Sequence, residues 1–263
     1  MMNVAIVVPT YLNQATMLHR LCATIRETSS HRIRFYLFKH SSWPVIHREC
    51  ECQVLNGDTT YFPFCWNRGL SRTWNDGLLL GYHDGADVVI LSNDDIWVTD
   101  GDVDVVVDAA ITHRECAAVN CVGYNHTSPG NIGLGFSFIA INPIALQTLG
   151  CFDENIYPCY WEDIDYVRRM TLYDMPMHTV MTTNVQHLMG ATRRSLSKKE
   201  LTEFNKAATA SKVYYDNKWG ADKVHPFGDS RYKFYIAPDD RHNPYPGHEG
   251  PGVQYAQRWG AAA

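Results

Sequence analysis

The sequence predicts an α/β fold in which a mostly parallel sheet is flanked by helices. Its 263 residues are 45% hydrophobic and 19% charged, enough apolar material for one sizeable core. The apolar runs Asn3–Val8, Arg34–Phe38 and Asp87–Leu91 are mostly unbroken by polar residues, which is typical of strands buried on both faces. A shorter strand is expected at Cys52–Leu55. Apolar residues at helical spacing over Gln14–Thr28 and Cys65–Tyr82 separate these runs. Strands and helices therefore alternate as in a right-handed parallel sheet.

The second half of the chain predicts shorter elements and ends differently. We expect strands at 117–121, 136–141, 177–181 and 185–187, and helices at 103–112, 143–149, 161–172 and 196–218. Beyond Gly220 the chain becomes rich in proline and glycine, as in an extended arm. We therefore predict one folded domain over residues 1–220 and a proline- and glycine-rich C-terminal extension over residues 221–263.

Composition and charge exclude several classes of protein. The net charge of −5 argues against a protein that binds bare phosphate backbone over its whole surface. No apolar run approaches the ~20 residues of a membrane span, and the N-terminus lacks a signal peptide, so we expect a soluble, cytoplasmic chain. The eight cysteines contain no Cys-x-x-Cys pair and the histidines show no zinc spacing, which indicates reduced cysteines that lie mostly in the core.

Polar residues follow three of the predicted strands. They are Pro9-Thr10-Tyr11, Lys39-His40-Ser41 and Asn93-Asp94-Asp95. Ligands of parallel α/β sheets bind beyond the carboxyl ends of the strands, so these three segments are expected to converge on one site. The adjacent carboxylates Asp94 and Asp95 repel each other unless a cation or hydrogen-bond donors compensate. Their pattern fits either an oxygen-ligated Mg²⁺ or Mn²⁺ or a simple acidic turn.

Three further groups are candidates for chemistry, each with a plainer alternative. Asp163, beside Glu162 at a predicted helix start, could act as a general base or could only stabilise the helix dipole. His187 ends a short strand and could bind a ligand or only a neighbouring polar group. Arg193 and Arg194 could grip phosphate oxygens or form a solvated basic edge. GxGxxG, GxxxxGK[ST] and GxSxG motifs are absent, so dehydrogenases, P-loop NTPases and α/β-hydrolases have no support.

Taken in order, these segments resemble a GT-A-fold glycosyltransferase of family 2, which is inverting and uses nucleotide-sugar donors. The resemblance covers roughly residues 3–220. Its motifs are Val4–Asn13, Asn67–Gly77, Asn93-Asp94-Asp95 at the place of the DxD motif, Gly150–Glu154 with Trp161–Tyr166 and Arg169, His187, and Asn217–Gly220. The resemblance implies a Rossmann-like, mostly parallel sheet with a small acceptor-side region.

The resemblance also implies a role for each matching residue. Asp163 is the general base, Asp95 and His187 hold a divalent cation (Mn²⁺ or Mg²⁺), and Trp161 and Glu162 face the acceptor. Trp161 could equally be a core anchor. The implied donor-binding residues are Pro9, Thr10, Tyr11, Asn13, Lys39, His40, Arg72, Asn75, Asn93, Asp94, Arg193 and Arg194.

Two departures from the family pattern bear on the donor. Asn93 replaces the first aspartate of the DxD motif, and Lys39-His40 stands where an aspartate normally contacts the base. A UDP-sugar is the expected donor, although the second departure leaves the base open. The acceptor could be a glycan, a protein, a small molecule or a modified nucleic-acid base.

Two other functions remain open on the sequence. One is a GT-A domain that binds a nucleotide sugar without catalysis, which the departures at Asn93 and Lys39 suggest. The other is a sugar-nucleotide nucleotidyltransferase, which would want a glycine-rich basic loop after the first strand. Pro9–Gln14 lacks such a loop.

Overall fold

A computed structural model describes residues 1–11, 15–40, 53–55, 57–64, 67–125, 128–133, 135–188 and 190–219. Asn13 and the predicted extension over 221–263 lie outside these residues.

The first half alternates strands and helices as predicted, with one additional strand. Its elements are β1 (Asn3–Tyr11), α1 (Ala15–Thr28), β2 (Arg32–His40), β3 (Gln53–Leu55), β4 (Thr59–Pro63), α2 (Leu70–His83) and β5 (Val88–Ser92). Strand β4 was not predicted, because Thr59-Thr60 and a terminal proline hide a strand pattern. Helix α2 starts at Leu70 rather than at the predicted Cys65. Gly69 stands directly before the helix with a φ of 82°.

The second half contains more strands than the sequence indicates. Its elements are β6 (Ile96–Trp97), α3 (Asp102–Thr112), β7 (Ala118–Asn125), β8 (Ser128–Gly133), a 3₁₀ turn (Gly135–Ser137), β9 (Phe138–Ile141), α4 (Pro143–Leu149), α5 (Glu162–Leu172), β10 (Met177–His187), α6 (Ala191–Ser195) and α7 (Lys198–Trp219). The two strands predicted at 177–181 and 185–187 are one strand, β10, with a register shift between Val180 and Val185. Helix α6 was not predicted.

The described strands form one sheet in the order β3-β4-β2-β1-β5-β9-β7-β10-β6, with β8 paired to β7. Strands β4, β2, β1 and β5 are parallel, and β7 and β10 are parallel. Strand β9 is antiparallel to both neighbours, β5 and β7. Six of the ten described strands therefore run in one direction, which confirms a mostly parallel α/β sheet. The order of β1, α1, β2, α2 and β5 is Rossmann-like.

Apolar layers cover both faces of the sheet. Alternate β1 residues point to opposite faces: Ile6 packs with helices α1 and α3, and Val7 packs with helix α2. Gly77 allows α2 to approach β1 closely, because a Cβ at this position would overlap the Val7 side chain. Burial on both faces explains why the β1 sequence shows an unbroken apolar run.

Among the helices of the described residues, none is both long and apolar enough to cross a membrane.

Candidate active site

The carboxyl ends of β1 and β5 bring Thr10 and Asp94 together. The Thr10 hydroxyl donates a 2.8 Å hydrogen bond to Asp94 Oδ2, and both side chains are buried. Burial raises the pKa of Asp94 to about 6, with the Thr10 hydrogen bond opposing this rise and the Asp95 charge adding to it. Since β1 and β5 are parallel neighbours, the predicted convergence of these two segments is confirmed.

Asp95 meets His187 from a distant part of the chain. His187 Nε2 lies 3.1 Å from Asp95 Oδ1, because β6 pairs with β10 and aligns Ile96 with His187. The backbone amide of Ala191 donates to Asp95 Oδ2 at 3.3 Å. Burial alone would raise the pKa of Asp95, but the His187 hydrogen bond and charge outweigh it, so this pKa lies below its usual value.

Asn93 faces the same imidazole as Asp95. Its side-chain nitrogen lies 3.5 Å from His187 Nε2, while its backbone amide donates to the carbonyl of Ser137 at 2.9 Å. Asn93 and Asp95 therefore point towards His187, and the intervening Asp94 points towards Thr10. This alternation along three consecutive residues gives two separate polar contacts at one strand end.

Asp95 and His187 have a donor set that fits a divalent cation. One carboxylate oxygen and one imidazole nitrogen, 3.1 Å apart, are as close as two ligands of one ion. Among the described residues, no third histidine, cysteine, aspartate or glutamate completes a cluster with them. A cation held by so few protein ligands takes its remaining ligands from water and phosphate oxygens, as Mg²⁺ commonly does.

The predicted base lies in the first turn of α5, directly after two residues with a strained backbone. Tyr160 and Trp161 have φ values of 71° and 80°, which non-glycine residues rarely adopt, and such strain concentrates at functional sites. Asp163 is half-buried, and burial raises its pKa. Glu162 is buried, and this burial, with the charge of Asp163, raises its pKa to about 8.

Trp161 lies against α7. Its half-buried ring is 5.3 Å from the Tyr215 ring centroid, and the Lys212 ammonium lies 5.3 Å from the indole. The indole thus supports the turn before α5 from one side, whereas Tyr160 remains 44% exposed. Both predicted roles of Trp161, acceptor contact and anchor, remain predictions.

Helix α6 contacts both sides of the site. Its first residue, Ala191, donates to Asp95, and its third, Arg193, hydrogen-bonds Tyr160, three residues before Asp163. Arg194 donates to the carbonyl of Leu188 at 3.0 Å. One five-residue helix therefore joins the Asp95–His187 pair to the turn that precedes the predicted base.

Several predicted donor-binding side chains contact other parts of the protein. His40 Nδ1 accepts from the backbone amide of Arg68 at 3.2 Å, and its Nε2 lies 3.0 Å from the Thr73 hydroxyl. Asn75 donates to Phe152 O and to Glu154 at 2.9 Å, and Arg72 lies 3.8 Å from Glu154. These three residues join β2 to α2, and α2 to the loop before α5.

The remaining predicted donor residues lie at the same edge of the sheet. Pro9 and Lys39 are half-buried at the ends of β1 and β2. Tyr11 is half-buried as well, and burial together with Glu200 raises its pKa.

A buried ionic network beside the turn was missed by sequence reasoning. Lys218 Nζ lies 2.7 Å from Asp153 Oδ2 and 2.6 Å from Asp165 Oδ1. Arg169 also pairs with Asp165, at 3.0 Å, and Trp219 Nε1 donates to Asp165 at 2.9 Å. All five side chains are buried. The i,i+4 spacing of Asp165 and Arg169 was a signal for one pair, but nothing in the sequence indicated that Lys218 would join it.

No family model matches the chain, and a search of curated proteins finds no matching sequence.

Proposed function

We propose that the chain is an inverting glycosyltransferase with a GT-A fold. It transfers a sugar from a nucleoside-diphosphate sugar to an acceptor hydroxyl and depends on a divalent cation. The observation that carries this proposal is the contact between Asp95 and His187, 92 positions apart in the sequence, together with helix α6 beside them. A carboxylate–imidazole pair at the carboxyl edge of a parallel sheet is placed where α/β proteins bind nucleotides.

Asp95 and His187 are the residues that would hold the cation. When bound, Mn²⁺ or Mg²⁺ supplies Lewis-acid stabilisation of the charge that develops on the departing diphosphate. Arg193 and Arg194 on α6 add positive charge beside the same region. Asp94, held by Thr10, faces the ribose or the sugar of the donor.

Asp163 accepts the proton of the attacking hydroxyl. The acceptor oxygen forms a bond to the anomeric carbon as the bond from that carbon to the diphosphate oxygen breaks, and the proton passes to an Asp163 carboxylate oxygen. Attack opposite the leaving group inverts the configuration. The raised pKa of Asp163 supports this role, because a carboxylate with a higher pKa is a stronger base.

A nucleotide-sugar panel tests the proposal. The full chain is mixed with UDP-, GDP- and other nucleotide sugars, with and without Mn²⁺, and nucleoside-diphosphate release is measured beside binding by calorimetry. We expect one donor to bind and turn over only with the cation. If no donor binds under any condition, the proposal is wrong.

Asp163→Asn separates catalysis from binding. We expect turnover to fall by roughly 10²–10⁴-fold while donor affinity stays unchanged. Asp108→Asn is the matched control, since its side chain is 77% exposed on α3. Unchanged turnover in Asp163→Asn would refute the base assignment. Donor binding without turnover in the wild type would instead favour the binding-only alternative.

A further inference from the structure

A second cluster of metal-ligating side chains lies at the opposite edge of the sheet. His113, Glu115 and Cys116 connect the end of α3 to the start of β7, and their donor atoms all lie within 4.8 Å of one another. His187 and Asp95 lie at the carboxyl ends of their strands, whereas Cys116 precedes an amino end. The cluster is therefore separate from the candidate active site.

The distances within the cluster suit a tetrahedral ion. Glu115 Oε1 is 3.3 Å from His113 Nδ1 and 3.9 Å from Cys116 Sγ. Zinc–ligand bonds of about 2.0–2.3 Å place neighbouring ligand atoms roughly 3.3–3.8 Å apart. The third distance, between His113 and Cys116, is at most 4.8 Å, so a small movement of these side chains would bring the three donor atoms to the spacing that one zinc ion requires.

Residues outside the cluster hold its backbone in place. Buried Asn142, at the start of α4, donates to the carbonyls of both His113 and Cys116 at 3.0 Å. The amide of Cys116 also donates to the carbonyl of His113 at 3.0 Å, closing the turn. Because these hydrogen bonds already fix the backbone at His113 and Cys116, the cluster loses little conformational freedom when an ion binds, which favours binding.

The ring of His113 is oriented by a histidine from another strand. His178, near the start of β10, stacks on His113 with ring centroids 3.9 Å apart and an interplanar angle of 18°. This stack limits the rotation of the His113 ring.

The surroundings of the cluster favour a cation with soft character. Helix α3 ends at Thr112, directly before His113, so its carbonyl end directs partial negative charge towards the cluster. Cys116 is buried, while the Glu115 side chain is 67% exposed and leaves a path from solvent. Sulfur and imidazole donors select zinc over magnesium or calcium.

We infer that His113, Glu115 and Cys116 form a zinc site with three protein ligands and water as the fourth ligand. The ion joins the end of α3 to the start of β7. Its existence does not depend on the proposed transferase activity.

Cobalt spectroscopy tests this site directly. The reduced full-length chain is titrated with Co²⁺, which shows a thiolate-to-cobalt charge-transfer band only when a cysteine binds it. We expect the wild type to develop this band with tetrahedral visible absorption, and Cys116→Ser to lose it. Cys159→Ser is the matched control, and its band should equal that of the wild type. A wild type without the band, or a Cys116→Ser chain that keeps it, would overturn the site.

Two more variants test the other residues without disturbing the core. Glu115→Gln, on the surface, should weaken Co²⁺ binding by roughly tenfold or more, and His178→Ala should weaken it by roughly 10–100-fold. Equal affinity of Glu115→Gln and the wild type would overturn the ligand set. Zn²⁺ should raise the melting temperature of the wild type and leave that of Cys116→Ser unchanged.

Discussion

The β1–β2–β5 layer and the α4–α5–α7 region are stabilised by different forces. In the layer, residues such as Ile6, Val7 and Ile90 are fully buried among apolar side chains. In the α4–α5–α7 region, Lys218 and Arg169 neutralise buried carboxylates that hold the helices together. Apolar burial is non-directional and tolerates small shifts, whereas a buried ion pair requires one geometry. The predicted base therefore lies in the region whose geometry is the more strictly defined.

The largest effect is expected from the α4–α5–α7 region. Lys218→Met leaves Asp153 and Asp165 buried without their shared cation, and removing one partner of such a pair costs about 3–5 kcal/mol of unfolding free energy. Urea unfolding measures this loss. Lys206→Met is the control, because the exposed Lys206–Glu203 pair on the same helix contributes little. Equal losses in the two variants would show that the network is not what stabilises this region.

The layer should respond to overpacking instead. Gly77→Ala introduces a Cβ into the Val7 side chain and should cost about 1–3 kcal/mol, even though alanine is the better helix former. The double variant Gly77→Ala/Val7→Ala should recover part of this loss in a double-mutant cycle. Strictly additive effects of the two substitutions would contradict the close packing of α2 on β1.

A pH dependence is expected from Glu162, the first residue of α5. The pKa of Glu162 rises on folding from 4.5 to about 8 through burial, so the native state holds a proton that the unfolded chain releases. Its contribution to stability is full below pH 4.5 and is lost as the pH rises to about 8.

Glu162→Gln should therefore flatten the fall in unfolding free energy between pH 4.5 and 8, measured by urea titrations at several pH values. Part of the slope should remain, because burial also raises the pKa of Glu154 to about 7. The exposed control Glu203→Gln should leave the slope as it is in the wild type. If the unfolding free energy of Glu162→Gln fell with pH as steeply as that of the wild type, Glu162 would not be the group that holds a proton in the native state.

The smallest effect is expected at the surface of the layer. Arg26 and Asp58 form a 2.6 Å ion pair with about a third of each side chain exposed. Asp58→Asn should cost about 0–1 kcal/mol, and less at high salt. Thermal unfolding in low and high salt measures this. A loss as large as that of Lys218→Met would remove the distinction between the two regions.

The sheet could be predicted from the sequence, and much of the candidate site could not. Ile6, Val8 and Ile90 lie in runs whose hydrophobicity alone predicts buried strands. The contact of Asp95 with His187 was inferred only through a family resemblance. Helix α6, the Tyr160–Arg193 contact and the position of Lys218 had no periodic signal, since each depends on a single polar partner far away in the sequence.

The sequence by itself determined the alternation of strands and helices and the edge of the sheet where Thr10 and Asp94 meet. Both follow from local hydrophobic periodicity and from the rule that parallel strands end on the same side. Only the tertiary structure decided that strand β9 runs antiparallel, that His187 reaches Asp95, and that Lys218 joins two buried aspartates. These outcomes depend on pairings between distant segments, whose energies come from geometry that no local pattern encodes.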